Sequence, residues 1–256
     1  MNSPLKVFIT GASSGIGLAL AEQYARQGAA LGLVARRLDA LAEFARRFPQ
    51  LSISIYSADV RDEAAVAHAA SQFIGEHGLP DVVIANAGIS KGVATGHGDL
   101  ETFREVMDVN YFGMAATFEP FAKLMAENRH GTLVGIASVA GVRGLPGSAA
   151  YSASKAAALA YLESLRVEMR PFGVAVVTIA PGYIRTPMTA HNPYPMPFLM
   201  DAERFAEKAA GAIARKARFA VFPWPMRIVA TLLGCLPRWL YDRLFEKAPR
   251  KPRAAG

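Results

Sequence analysis

Cysteine is nearly absent from this 256-residue chain, and the single thiol, Cys235, can close no internal disulfide and has no second sulfur with which to form a redox pair. Five histidines, at 68, 77, 97, 130 and 191, are scattered, and none sits at ligand spacing from acidic or thiol partners, so no metal site is expected. His191 reads as an ordinary polar loop residue. Long apolar runs are also lacking. The most apolar stretch, Met226 to Leu236, is followed at once by Pro237 and falls short of the ~20 residues that cross a bilayer. No fixed-period repeat and no low-complexity block is present. Met1 leads almost directly into Val7-Phe8-Ile9 without the basic, apolar and small-residue regions of an export signal, so cytoplasmic residence is expected.

Charge of one sign is present but localised. The formal charge is +7, and the stretch from Arg238 to Gly256 holds six basic residues against two acidic ones. The other 237 residues carry only +3, with no basic stripe, which argues against a nucleic-acid partner.

What the chain has in abundance is apolar residues, 52% of the total, in a βαβ rhythm. Strand-like runs at Lys6–Ile9, Ala30–Val34, Leu51–Ile55, Val82–Ile84, Thr132–Ile136 and Val174–Ile179 alternate with longer helical patterns. Several are continuously apolar, as strands buried on both faces must be, and this predicts a doubly wound parallel sheet in a three-layer α/β/α, Rossmann-like domain. That domain is expected to cover residues 1–218. Within it, the stretch 187–200 interleaves four prolines with Met188, Tyr194, Met196, Phe198 and Met200, a composition that suits a lid over an apolar ligand. Residues 219–256 read as an apolar and basic helical extension that packs on the core, on the lid or on a second subunit, with peripheral contact at the inner membrane face as the alternative.

Directly after the first strand comes Thr10-Gly11-Ala12-Ser13-Ser14-Gly15-Ile16-Gly17, which opens a helical pattern running to Gln27. Strand, glycine loop and helix in that order make a pyrophosphate cradle. Gly11 permits the tight turn, Gly15 lets the backbone approach the anion, and Gly17 lets helix and strand pack closely. The second strand ends Ala35-Arg36-Arg37, with no carboxylate before Asp39. An acidic residue there would bind a ribose 2′-hydroxyl, whereas two guanidiniums suit a 2′-phosphate, so NADP(H) is expected, with Arg36 the first choice and Arg37 the second.

The loop Thr10–Gly17, Asp59-Val60, Asn86-Ala87-Gly88, Val109-Asn110, Ser138, Tyr151-Ser-Ala-Ser-Lys155 and Pro181-Gly182 follow one another in the order found in the classical short-chain dehydrogenases/reductases, which the chain resembles over roughly residues 5 to 187. The resemblance implies a hydride-transferring oxidoreductase acting on a carbonyl/alcohol pair. It also implies a homodimer or homotetramer, with the small-residue run Ala149–Ala160 a candidate packing face. Tyr151 and Lys155, four residues apart on one helix, share a face, and Ser138 lies 13 residues before the tyrosine. A phenol with a pKa of about 10 serves as acid or base near neutrality only if a neighbouring ammonium helps to stabilise the phenolate, which is the task implied for Lys155. Ser138 would donate to the substrate oxygen. For the cofactor, the resemblance implies contacts from Ser13, Ser14 and Ile16 in the loop, from Asp59 and Val60 to adenine, and from Asn86, Ala87 and Gly88 on the adenosine side. It further implies that Asn110 helps hold a water beside Lys155, and that Pro181, Gly182, Ile184 and Thr186 flank the nicotinamide. An NAD-linked alcohol dehydrogenase and a non-catalytic dinucleotide-binding regulator are the alternatives.

Overall fold

The computed structural model describes residues 3–190 and 192–253, so His191 lies outside the described residues. The first half of the domain comprises β1 (Lys6–Thr10), α1 (Gly15–Arg26), β2 (Ala30–Ala35), α2 (Leu38–Arg46), β3 (Ile53–Ser57) and α3 (Glu63–His77). The second comprises β4 (Val82–Ala85), α4 (Leu100–Met107), α5 (Gly113–Glu127), β5 (Thr132–Ile136), α6 (Ala149–Met169) and β6 (Ala175–Pro181). Beyond these come β7 (Ile184–Arg185), β8 (Met200–Asp201), α7 (Ala202–Ala214), β9 (Phe219–Phe222), α8 (Pro225–Cys235) and α9 (Arg238–Phe245).

The main sheet has seven strands in the order β3-β2-β1-β4-β5-β6-β9, and every neighbouring pair is parallel. Winding runs outward in opposite directions from β1 and β4, so a crevice opens beyond the C-terminal ends of those two strands, where ligands of doubly wound sheets bind. Alternate strand residues feed two cores. Val7 and Ile9 pack with α1, α2 and α7, whereas Phe8 faces α3, α5 and α6. This is the three-layer α/β/α arrangement that continuously apolar strands require.

Two features depart from the sequence pattern. The third strand starts at Ile53 instead of Leu51, because Leu51 closes a turn onto Phe48 and the ladder with β2 begins at the Leu31–Ile53 pair. The second is β9, which was expected to be the head of the C-terminal extension and instead pairs with β6 from Thr178–Phe219 to Pro181–Phe222. Its four residues lie between Arg218 and Pro223, too short a run to announce a strand without the partner edge beside it.

Packing on the α3/α5/α6 side centres on Phe8, whose ring lies 5.5 Å from that of Phe73 and 4.9 Å from that of Phe121. Gly32 makes room for the pair, since a Cβ there would stand 2.4 Å from the Phe73 ring. Truncating Phe8 in so closed a cluster leaves a cavity that the sheet cannot collapse around. Phe8→Ala is therefore expected to lower unfolding free energy by about 3–5 kcal/mol, measured by urea denaturation with an unchanged m-value.

Candidate active site

The glycine loop joins β1 to α1 at the crevice. Gly11 has φ +69°, and a Cβ on it would lie 2.7 Å from the Ala87 Cα, so the loop can approach the end of β4 only with glycine at this position. Gly17 is more constrained still, as its Cβ would fall 2.2 Å from the Gly11 carbonyl oxygen. Asn86 ties the same parts together, its Nδ2 donating to the carbonyls of Thr10 at 3.0 Å and Gly11 at 3.1 Å. The Ser14 side chain makes no capping bond, and Gly15 and Ile16 at the start of α1 line the cleft, so the helix N-terminus is available to an anion.

The cleft beyond this loop has a volume of about 250 Å³, and nearly all the residues expected at the cofactor line it. The two that do not are Gly17, which packs against the Gly11 backbone, and Arg37, which is exposed. Arg36 lines the cleft, whereas Arg37 donates from Nη2 to the Ser13 carbonyl and hydroxyl, both at 3.4 Å. Asp59 is engaged by Arg61, whose Nε and Nη2 reach it at 3.1 and 2.7 Å. Those bonds, with the Arg36 charge adding to them, hold the Asp59 carboxyl below its ordinary range.

Tyr151 and Lys155 project from the first turns of α6, with the lysine Nζ 5.9 Å from the tyrosine ring centroid. Ser138, at the end of β5, is buried beside them; its Oγ accepts from the Ala140 N–H at 3.1 Å. Lys155 is buried and donates to the Ile136 carbonyl at 2.8 Å. Loss of water lowers its pKa to about 8. Burial pushes the Tyr151 phenol up, with the Ser138 hydroxyl pulling the other way.

Asn110 belongs to a π-helical turn, Asp108–Phe112, between α4 and α5. Wider turns of this kind re-aim a side chain within a helix. Fully buried, Asn110 accepts from the Ile89 N–H at 2.8 Å and donates to the Ile89 carbonyl and the Ser154 hydroxyl, each at 2.9 Å. Asn110 thus cross-links the chain beyond β4 to the helix that carries Tyr151 and Lys155. Ser154 was not anticipated from the sequence, and its position one residue before Lys155 carries no signal of its own.

A second cavity of about 280 Å³ adjoins the cleft and shares Ser138, Tyr151, Gly182, Met188 and Thr189 with it. Its far wall comes from the 187–200 stretch through Asn192, Tyr194 and Pro197, from α8 through Met226, Val229 and Leu233, and from Phe245 and Lys251. In sequence the α8 residues form only an apolar stripe, and the fold gives that stripe this cavity to line. Among the described residues no helix is long and apolar enough to cross a membrane, and no cluster of potential metal ligands occurs.

The short chain dehydrogenase family matches residues 6–195, and the chain belongs to it. An uncharacterised oxidoreductase of Myxococcus xanthus is 37% identical over 91% of this chain and 93% of its own length. Among solved structures, a short-chain dehydrogenase from Burkholderia cenocepacia in complex with NADP superposes with a TM-score of 0.82 at 27% identity, over 96% of this chain and 99% of that one. An alcohol dehydrogenase from Thermococcus sibiricus complexed with 5-hydroxy-NADP gives 0.77 at 26% identity, over 86% of this chain and 95% of that one. The protein is thus an oxidoreductase of the short-chain dehydrogenase/reductase family, with the nicotinamide dinucleotide cofactor characteristic of that family.

The contact between Gly17 and the Gly11 carbonyl leads to a direct test. Gly17→Ala must push α1 away from the loop, and it is expected to abolish most of the thermal stabilisation that nucleotide gives the unmodified protein, as read in a melting curve with and without dinucleotide.

Proposed function

We propose that this protein is an NADP(H)-dependent oxidoreductase for an apolar carbonyl/alcohol pair, with Tyr151 as the acid/base. The observation that carries this reading is the position of Ser138 and Tyr151, which line both cavities where the two meet. A substrate oxygen in the second cavity would therefore face their hydroxyls with the nicotinamide alongside.

The cleft suits a dinucleotide on its own geometry. Gly11 and Gly17 hold the loop where any Cβ would collide, and the open end of α1 offers N–H groups to a pyrophosphate. Arg36 and Arg37 would hold the 2′-phosphate, and Pro181, Gly182, Ile184 and Thr186 would flank the nicotinamide. When bound, the cofactor supplies or accepts the hydride. Ser138 donates a hydrogen bond to the substrate oxygen and orients it. Tyr151, kept protonated by burial, is in the form that donates a proton to that oxygen during reduction. The Lys155 ammonium, charged below a pH of about 8, stabilises the phenolate that remains. Asn110 is a positioning residue in this scheme, because it holds Ser154 and Ile89 and so sets α6 against the cleft. The stretch 187–200 acts as the lid. Ser138 and Tyr151 at the join of two cavities, with the buried Lys155 in the wall of the first, favour an enzyme over a non-catalytic dinucleotide-binding regulator.

Replacement of Tyr151 by Phe removes the proton donor and little else. We expect turnover of a carbonyl substrate to fall about a thousandfold, with the NADPH dissociation constant unchanged; activity within a few-fold of the unmodified enzyme sinks the assignment. For the cofactor, NADPH should raise the melting temperature well beyond NADH. Arg36→Ala should weaken NADPH binding by about tenfold while leaving NADH binding unaltered. Equal responses to the two nucleotides in the unmodified protein would remove the case for NADP(H).

A further inference from the structure

The C-terminal segment places a cation in the wall of the second cavity. After α9 the chain turns back over the cavity rim, where the Pro252 carbonyl oxygen lies so close to Gly92 that a Cβ there would stand only 1.9 Å away. The Lys251 amide nitrogen passes close to Gly147 as well, at 2.8 Å from the position of a Cβ. Beyond the crossing, Arg253 clamps the segment, donating to the two oxygens of Asp99 at 2.7 and 2.9 Å and to the His97 carbonyl at 2.9 Å. Two glycines that admit the backbone and a bidentate ion pair that anchors it define the course of this strap.

The strap presents Lys251 to the same cavity that Ser138 and Tyr151 line. The same cavity is lined by Met226, Val229, Leu233 and Phe245, and no Asp or Glu occurs among the described residues that line it. Lys251 is half-buried and its Nζ donates to the Ser90 hydroxyl at 2.8 Å. An ammonium has three N–H donors, and Ser90 accepts only one. Arg143, the other cation of the wall, is already engaged, its guanidinium lying 4.5 Å over the Tyr241 ring. A cation half withdrawn from water in the wall of a largely apolar cavity, with no carboxylate among the described residues of that wall, is favoured when an anion joins it.

We propose that Lys251 is a specificity-determining residue that binds an anionic group on the substrate, so that the enzyme's carbonyl compound has an apolar body and a carboxylate or comparable anion remote from the reacting carbon. This inference rests on the hydride-transfer reading above and narrows it to acidic substrates. Desolvation moves the lysine's affinity for its proton downward, in keeping with a cation that lacks a counter-charge in its wall. The apolar residues of α8 hold the body of the substrate, Ser138 and Tyr151 its oxygen, and Lys251 its far end.

The test compares a keto-substituted decanoate with its methyl ester, which differ in charge at one end. Binding of each is measured by calorimetry to NADP⁺-loaded protein, a dead-end complex that needs no turnover. The unmodified protein should bind the acid at least about tenfold more tightly than the ester, the strength of one hydrogen bond to a charged group. Lys251→Met should erase that preference without weakening the ester, and Lys251→Arg should retain most of it. A lysine that merely anchors the strap would give equal losses for acid and ester in Lys251→Met, and that result overturns the proposal. So does an unchanged acid preference in Lys251→Met, or failure of the loaded protein to bind either compound. In each of these cases NADPH binding and the Tyr151→Phe effect remain intact; loss of those, by contrast, counts against the hydride-transfer reading itself.

Discussion

The ammonium of Lys155 is buried at the end of β5, and much of the site is arranged around that fact. A charged lysine this far from water requires close polar partners, and the Ile136 carbonyl supplies one at 2.8 Å. For the strand end to reach the lysine, α6 has to lie tight against its surroundings. Gly141 allows this, because a Cβ there would stand 2.6 Å from the Lys155 carbonyl carbon. On the other side Gly88 leaves space for both the Asn110 oxygen and the Lys155 Nζ, at 3.2 and 3.7 Å from where its Cβ would be. The π-helical turn then aims Asn110 at Ser154, next to Lys155 in sequence. Glycines at 88 and 141, the asparagine and the wide turn thus accommodate a single buried charge, and the orientation of Tyr151 on the same helix follows from them.

The two cavities are built in different ways. The first cleft draws on the C-terminal ends of parallel strands, where the loop after β1, the turn after β2 and the segments after β4, β5 and β6 converge because the sheet is wound in two directions. Its walls are backbone-rich, and glycines occupy the points where chain meets chain. The second cavity is walled by side chains from stretches far apart: residue 90, the 138–151 region, the 187–200 stretch, α8 and the strap at 251. Edge strand β9 connects these two regimes. By pairing with β6 it carries the chain to the rim of the sheet, so that Met226 packs against Ala180 and Val221 and α8 faces the cavity. A difference in sequence at α8 or the strap would alter the second cavity while leaving the first untouched, which is how a common fold can serve many substrates.

Much of this was legible beforehand, and for definable reasons. The βαβ rhythm, the loop Thr10–Gly17 and the spacing of Ser138, Tyr151 and Lys155 are local patterns, and local patterns survive translation into one dimension. A glycine that must admit a neighbouring backbone, or two residues that must share a helical face, leaves its mark within a few positions. The Arg36-Arg37 pair was equally visible, though only the folded chain separates their roles, with Arg36 in the cleft wall and Arg37 reaching back to Ser13. Asn110 was visible as a motif, yet its partners at 89 and 154 were not, since the hydrogen bonds span 21 and 44 residues.

The sequence alone therefore determined the layer architecture and the family, because periodicity and glycine spacing encode strand burial, helix faces and tight turns directly. Only tertiary structure decided that Phe219–Phe222 extends the sheet, that α8 shares a cavity with Ser138 and Tyr151, and that Lys251, one cation in a basic tail, stands in the cavity wall. Each of those outcomes depends on what a distant surface offers: an unpaired strand edge at β6, an apolar hollow beside Tyr151, and glycines at 92 and 147 over which the chain can cross. A short strand or a lone lysine has too little local preference to choose its own place, so the partners made available by the rest of the fold choose it.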